Sequence, residues 1–251
     1  MCPMAIEKNI RLSVSYDGSQ YHGWQRQDNG ITIQGMIEEK IRTMVGAHVT
    51  LIASGRTDAG VHALHQTCNF RSVTSIPPDS LRKGLNGLLP DDIFIIHAEY
   101  VPLDFHSRYD CKSKMYEYRI LNRETPDIFC RKYVWHIRRP LDISAISSCA
   151  DVLTGTQDFS SFKSTGSGNT NPVRTVLLAE LEAAKGDLLF FRIKADGFLR
   201  HMVRNIVGTL MNVGLGKTTP AQFKEILDSR NRRMAGRKAP PQGLFLVEVN
   251  Y

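Results

Sequence analysis

The chain has 251 residues, 42% of them hydrophobic, and 32 lysines and arginines against 25 aspartates and glutamates give a formal charge of +7. That length can bury a sizeable core, in one large domain or two small ones, and the composition is that of a folded protein rather than a disordered or fibrous one. No stretch reaches the apolar length of a membrane span, the first ten residues hold no signal-peptide core, and the five cysteines form no C-x-x-C pair, which speaks against a disulfide framework and against zinc. A cytoplasmic chain with no metal and an anionic partner such as nucleic acid is the expectation.

In chain order, Ile10, Leu12, Val14 and Tyr16 alternate with polar residues, the period of a half-buried strand closed by Asp17-Gly18. From Tyr16 to Gln27 the chain mixes aromatic, amide and basic side chains with glycines, including Gln25 and Arg26. This composition suits stacking on bases and bonding phosphates, with Trp24 read as exposed; a polar hairpin tip is the plain alternative. Ile33, Ile37, Ile41 and Met44 recur at helical spacing, with Thr32 as cap and Gly46 past the end. Val49 to Ser54 reads as a strand, Gln66 to Phe70 as its return, Ser80 to Leu88 as a helix and Ile93 to Tyr100 as a strand. The order is β-α-β-β-α-β.

Between the second and third strands lies Ala53-Ser54-Gly55-Arg56-Thr57-Asp58-Ala59-Gly60-Val61-His62. It presents one carboxylate, Asp58, between two glycines that can take backbone conformations closed to other residues, with Arg56 and His62 beside it. Such a loop can hold a carboxylate against a ligand. It can equally be an Asx-type turn in which Asp58 bonds its own backbone.

In the second half, Met115 to Ile120 reads as a strand with Tyr116, Tyr118 and Ile120 on one face. Arg131 to Arg139 carries four cations around Trp135, and a helix from Ile143 to Leu153 follows. Ser164 to Asn171 is a polar, glycine-containing loop expected to be mobile without a ligand. Thr175 to Ala183 and Leu188 to Ala195 form a hairpin. Leu199, Met202, Val203, Ile206, Val207 and Leu210 make an apolar helical face with Arg200, His201 and Arg204 as its polar companions. A helix at Pro220 to Asp228 and a strand at Leu244 to Val249 close the chain. Between them Arg230, Arg232, Arg233, Arg237 and Lys238 read either as solvated surface or as a nucleic-acid contact. The succession helix, hairpin, helix, strand in both halves predicts two similar α/β domains, 1–104 and 105–251, with a ligand cleft between them.

Taken together, Tyr16-Asp17-Gly18, Gly23-Trp24-Gln25-Arg26-Gln27, Gly55 to His62, Tyr116-Glu117-Tyr118 and His201-Met202-Val203-Arg204-Asn205 resemble the TruA family of tRNA pseudouridine synthases, in the same order and with similar spacing from about Ile10 to Tyr251. The resemblance implies an α/β (α+β) pseudouridine synthase fold, with two mainly antiparallel domains around a central basic cleft. It implies a homodimer that takes tRNA and converts uridine to pseudouridine in the anticodon arm, just 3′ of the anticodon, with no cofactor. By that resemblance the catalytic residues are Asp58, Tyr116 and Arg204: Asp58 is the carboxylate, Arg204 its basic partner, and Tyr116 packs on the target base, where its hydroxyl would assist proton removal from C5. Arg56 would bind or prise out the nucleotide, and Gln25, Arg26, His62 and His201 join the substrate-binding set.

Where the family commonly has glycine before the glutamine that follows the motif, this chain has His65, which bears on target choice. A tRNA-binding or folding protein that has lost catalysis is the alternative function. An aspartic hydrolase does not fit, because Thr57-Asp58-Ala59 is not the Asp-Thr-Gly or Asp-Ser-Gly such enzymes need twice.

Overall fold

The computed structural model describes residues 6–164 and 171–251, so most of the polar loop expected at Ser164 to Asn171 lies outside the described residues. In chain order the elements are β1 (Glu7–Tyr16), α1 (Ile33–Val45), β2 (Ile52–Ala53), β3 (His62–Val73), α2 (Pro78–Leu88), β4 (Ile93–Val101), β5 (Ser113–Asn122), β6 (Trp135–Ile137), α3 (Ile143–Val152), β7 (Gly155–Asp158), β8 (Val173–Ala183), β9 (Leu188–Ala195), α4 (Met202–Gly214), α5 (Pro220–Asp228) and β10 (Leu244–Asn250). They form two compact units, Met1–Lys112 with Leu246–Tyr251, and Ser113–Phe245. Where the sequence expectation divided the chain after residue 104, residues 105–112 belong with the first unit. Asn9 Nδ2 donates to Phe105 O, Ser107 N donates to Asn69 Oδ1, and Lys112 N donates to Asn250 O on the last strand.

The first unit is built on an antiparallel sheet in the order β4-β1-β3, with β2 also on β3. Alternation places Ile10, Leu12 and Val14 of β1 on one face, fully buried, where Ile10 and Leu12 stand opposite Phe70 and Cys68. Helix α1 starts where Thr32 Oγ1 accepts from Gly35 N and stops at Gly46, whose φ of 74° suits a residue without a Cβ. Its Ile33, Ile37 and Ile41 are fully buried, as are Leu81 and Leu85 of α2.

Strand β3 is irregular next to the Asp58 loop. Between Val14 and Tyr16 of β1, the partners on β3 step from Gln66 to Ala63, so β3 carries an extra residue there. A bulge bends and twists its strand. Here it comes directly after the Asp58 loop, and the exposed Leu64 and His65 stand in it.

In the second unit the order is β5-β9-β8-β7, antiparallel, with β6 joined parallel to β5. The β8–β9 turn uses positive φ at Gly186 and Asp187. Strand β7, four residues long, had no counterpart in the sequence reading. Helix α5 begins with a capping box between Thr219 and Gln222 behind Pro220.

Helix α4 departs from the amphipathic reading, because all but one of its residues are buried, Arg204, Asn205 and Thr209 among them. The reason is the stretch 232–239, which lies on its polar side. Gly208 lets it approach so closely that a Cβ there would stand 1.8 Å from Arg237 O.

Replacing Ile37 by alanine removes a fully buried side chain from the α1 face, and we expect a loss of about 2–5 kcal/mol, read as a lower urea midpoint with an unchanged slope.

Candidate active site

Asp58 lies in the connection between β2 and β3, and the chain fixes that connection at both ends. On the entering side, Ser54 N donates to Thr67 O and Ser54 Oγ donates to Gln66 Oε1 at 2.7 Å, while Gln66 Nε2 donates to Gly55 O at 2.8 Å. Gln66 is fully buried, so its amide acts as a cross-brace between the strand leaving the loop and the backbone entering it. At the loop's centre, Thr57 Oγ1 lies 2.8 Å from Tyr16 Oη. Burial pushes the Tyr16 phenol above its ordinary pKa, so it stays protonated as a hydrogen-bonding group and is no acid or base near neutral pH.

On the leaving side the loop turns at Gly60 (φ 75°), with Val61 N donating to Asp58 O. The segment 16–24 lies along this turn. Trp24 N donates to Thr57 O at 3.1 Å and Gly18 N to His62 Nδ1 at 3.2 Å; the same ring nitrogen is 3.1 Å from Asp17 Oδ1. Two glycines make the approach possible. A Cβ on Gly18 would stand 2.0 Å from Val61 O, and one on Gly23 would stand 2.6 Å from Thr57 O, where φ is also +89°. The motif Tyr16-Asp17-Gly18 and the pair Gly23-Trp24 therefore form the wall against which the Asp58 loop is set.

The expected residues of the first unit fall into two groups. Asp58 is half-buried and Arg56 is exposed. His62, expected among the substrate contacts, is 1% exposed and committed to Asp17 and Gly18, so its geometry is that of a loop support. Trp24, read as exposed, is also buried at 1%, with its ring centre 6.0 Å from that of Tyr16. Gln25 is half-buried, and Arg26 points outward while its backbone N donates to Gln34 Oε1. Arg26 and Gln27 border a groove of about 470 Å³ with Thr32, Glu38, Arg42 and His48; Asp58 is not part of it. Glu38 is held beneath, accepting from Gln34 Nε2 at 2.8 Å and Leu51 N at 2.9 Å.

The second unit carries the other three. Tyr116 on β5 is 7% exposed and packs edge-on against Phe198, ring centres 4.9 Å apart at 89°. Its neighbour two residues on, Tyr118, is fully buried and donates to Pro240 O at 2.7 Å, and burial raises its pKa too. His201 caps α4 in the left-handed region with φ 62°. Arg204, in the first turn of that helix, is 7% exposed. Its Nε donates to Ala239 O at 2.8 Å, and Ala239 N donates back to Arg204 O at 3.0 Å.

Sequence reasoning did not single out Gln66 and Gly18 as supports. The signals in the sequence were that Gly18 closes the motif Tyr16-Asp17-Gly18 and that Gln66 opens the strand read after the Asp58 loop. Among the described residues no group of three or more His, Cys, Asp or Glu side chains could hold a metal ion, and no helix is long and apolar enough to cross a membrane.

A family model described as tRNA pseudouridine synthase matches residues 12–110 and 149–251. The chain is 46% identical to tRNA pseudouridine synthase A of Thermoanaerobacter sp. (strain X514) and 45% identical to that of Acetivibrio thermocellus, each over 244 residues that cover 97% of this chain and 100% of the relative. It is 44% identical over 248 residues to tRNA pseudouridine synthase A 2 of Clostridium tetani, covering 98% of this chain and 100% of that one. Among solved structures it is similar to a chain of a Cbf5-Nop10-Gar1 complex, with 11% identity, a TM-score of 0.34, and coverage of 80% of this chain and 45% of that one, a likeness too slight to build on.

Gly23→Ala places a methyl group against the backbone of Thr57 in a strained conformation. We expect it to lower stability by about 1–3 kcal/mol, measured by thermal unfolding, with faster proteolytic cleavage within residues 54–61 than in the unaltered chain.

Proposed function

Because the chain belongs to the tRNA pseudouridine synthase family, we propose that it isomerises uridine to pseudouridine in the anticodon arm of tRNA, just 3′ of the anticodon, with Asp58 as the catalytic carboxylate. The observation that carries this reading is the near full-length match to relatives of that name, together with a half-buried carboxylate on a loop braced from both sides.

The chemistry fits what one carboxylate can supply. The N1–C1′ glycosidic bond breaks, the uracil turns while bound, C5 bonds to C1′, and C5 gives up its proton as N1 gains one. No atom is gained or lost and no redox change occurs, so the reaction balances without a cofactor. Asp58 serves the first step, by attacking the nucleotide or by removing a sugar proton, and either role requires the ionised form.

In this proposal Arg204 is the basic partner that favours that ionised form, and Tyr116 packs on the target base. A stacked base is out of reach of any side chain, so the nucleotide must leave the stack, and the exposed Arg56 binds or displaces it. Gln25, Arg26 and His201 complete the substrate contacts, while His62 acts behind the loop. The chain's positive balance suits an RNA ligand. By the same family reading the protein works in the cytoplasm as a homodimer.

Asp58→Asn keeps the shape of the side chain and removes its charge. Pseudouridine formation on unmodified tRNA, followed by tritium release from C5-labelled uridine, should fall below detection, while tRNA affinity in a filter-binding assay stays within about threefold of the unaltered chain. Appreciable turnover by that variant would refute the assignment of Asp58.

A further inference from the structure

The five cations between α5 and β10 part company in the structure. Arg230 Nε lies 3.4 Å from Asp158 Oδ2, the Arg237 guanidinium stands 5.6 Å from the Trp135 ring centre, and Arg233 and Lys238 are exposed. Arg232 turns inward. Its Nη1 donates to Ala235 O at 3.2 Å and Gly236 O at 3.1 Å, and its Nη2 donates to Asn205 Oδ1 at 2.9 Å. Burial pulls its pKa below the usual arginine range. An arginine built to meet phosphate keeps its fork of donors turned to solvent; this one has committed three contacts to protein oxygens.

Asn205 is fully buried and adjoins Arg204. Besides accepting from Arg232, it donates through Nδ2 to Phe162 O at 2.8 Å and Ser164 Oγ at 3.3 Å. Four residues on, Thr209 Oγ1 donates to Asn205 O and accepts from Gly236 N, both within 2.9 Å. The stretch 232–239 is thus fastened to α4 at positions 205 and 209. That same stretch supplies Ala239 O, the acceptor that sets the direction of Arg204 Nε. Glycines 208 and 236 leave no slack: a Cβ on Gly236 would meet Asn212 Nδ2, Gly208 O and Thr209 Cα at 2.9–3.0 Å.

We propose that Arg232 is a positioning residue for the isomerisation. Through Asn205 and the backbone of 235–239 it fixes the guanidinium of Arg204, and it does not itself bind RNA. The inference rests on the role given to Arg204 above, so its test has one arm that is independent of that role.

The independent arm is nuclear magnetic resonance of the full chain labelled with ¹⁵N-arginine, comparing the unaltered protein with Arg232→Met and Arg232→Lys. Exchange of the Arg204 Nε proton with water should quicken at least roughly tenfold in Arg232→Met, because the acceptor that shields it is no longer held in place. Exchange at Arg192 Nε, which donates to Glu117 Oε2 at 2.9 Å in the same unit, serves as control and should not move, whereas general loosening would quicken both.

The second arm is single-turnover pseudouridine formation at saturating enzyme, with the tRNA Kd and its salt dependence measured alongside. The single-turnover rate should fall by a similar factor while Kd and the salt slope hold. Should Arg232→Met not fold, Arg232→Lys, which keeps the charge but can reach fewer of the three acceptors, carries both arms. Unchanged exchange at Arg204 overturns the proposal. So does a weaker Kd with a salt slope reduced by about one, the mark of a lost phosphate contact. Faster exchange at Arg204 with an undiminished rate also overturns it, and in that case Arg204→Lys shows whether the role given to Arg204 fails as well.

Discussion

The candidate site depends on backbone lying against backbone where two glycines permit it. Gly18 meets Val61 and Gly23 meets Thr57 at separations that no side-chain-bearing residue could match, and around these contacts the polar groups of the loop find partners. Tyr16 reaches Thr57 Oγ1, Trp24 N reaches Thr57 O, Gly18 N reaches His62, and Gln66 joins Ser54 to Gly55. A loop flanked by two flexible residues would otherwise sample many conformations, each ordered residue costing about 1–2 kcal/mol of backbone entropy. Here that entropy is already lost in the folded chain, so the loop that carries Asp58 is held in one position.

The same contacts explain why the flanking motif reads as it does. From Tyr16 to Gln27 the mixture of aromatic, amide and basic groups suggests a single RNA-facing surface, yet the structure divides it. Tyr16, Gly18, Tyr21, Gly23 and Trp24 face inward on the loop and its strands, while His22, Arg26 and Gln27 face outward. The buried half builds the wall against which the Asp58 loop is set, and the exposed half faces outward.

What was legible in the sequence is what local chemistry decides. Helix α1 follows from apolar spacing and from Thr32, helix α5 is read from Pro220 onward, and β1 follows from its alternation. The Asp58 loop was legible as a motif. What was not legible depends on neighbours distant in the chain. Trp24 looked exposed in a polar stretch because nothing local reveals the ring of Tyr16 and the carbonyl of Thr57. Arg204 looked like the polar face of an amphipathic helix because the stretch that covers it comes some 30 residues later. Strand β7, short and largely polar, carries almost no periodic signal. Gln66 was visible as a residue but not as a brace, since its two partners lie across the loop.

The account as a whole is tested most directly by incubating the purified chain with unmodified tRNA and mapping pseudouridine nucleotide by nucleotide. It predicts new pseudouridine in the anticodon arm just 3′ of the anticodon. A product with none there, or with pseudouridine only in other arms, would contradict it.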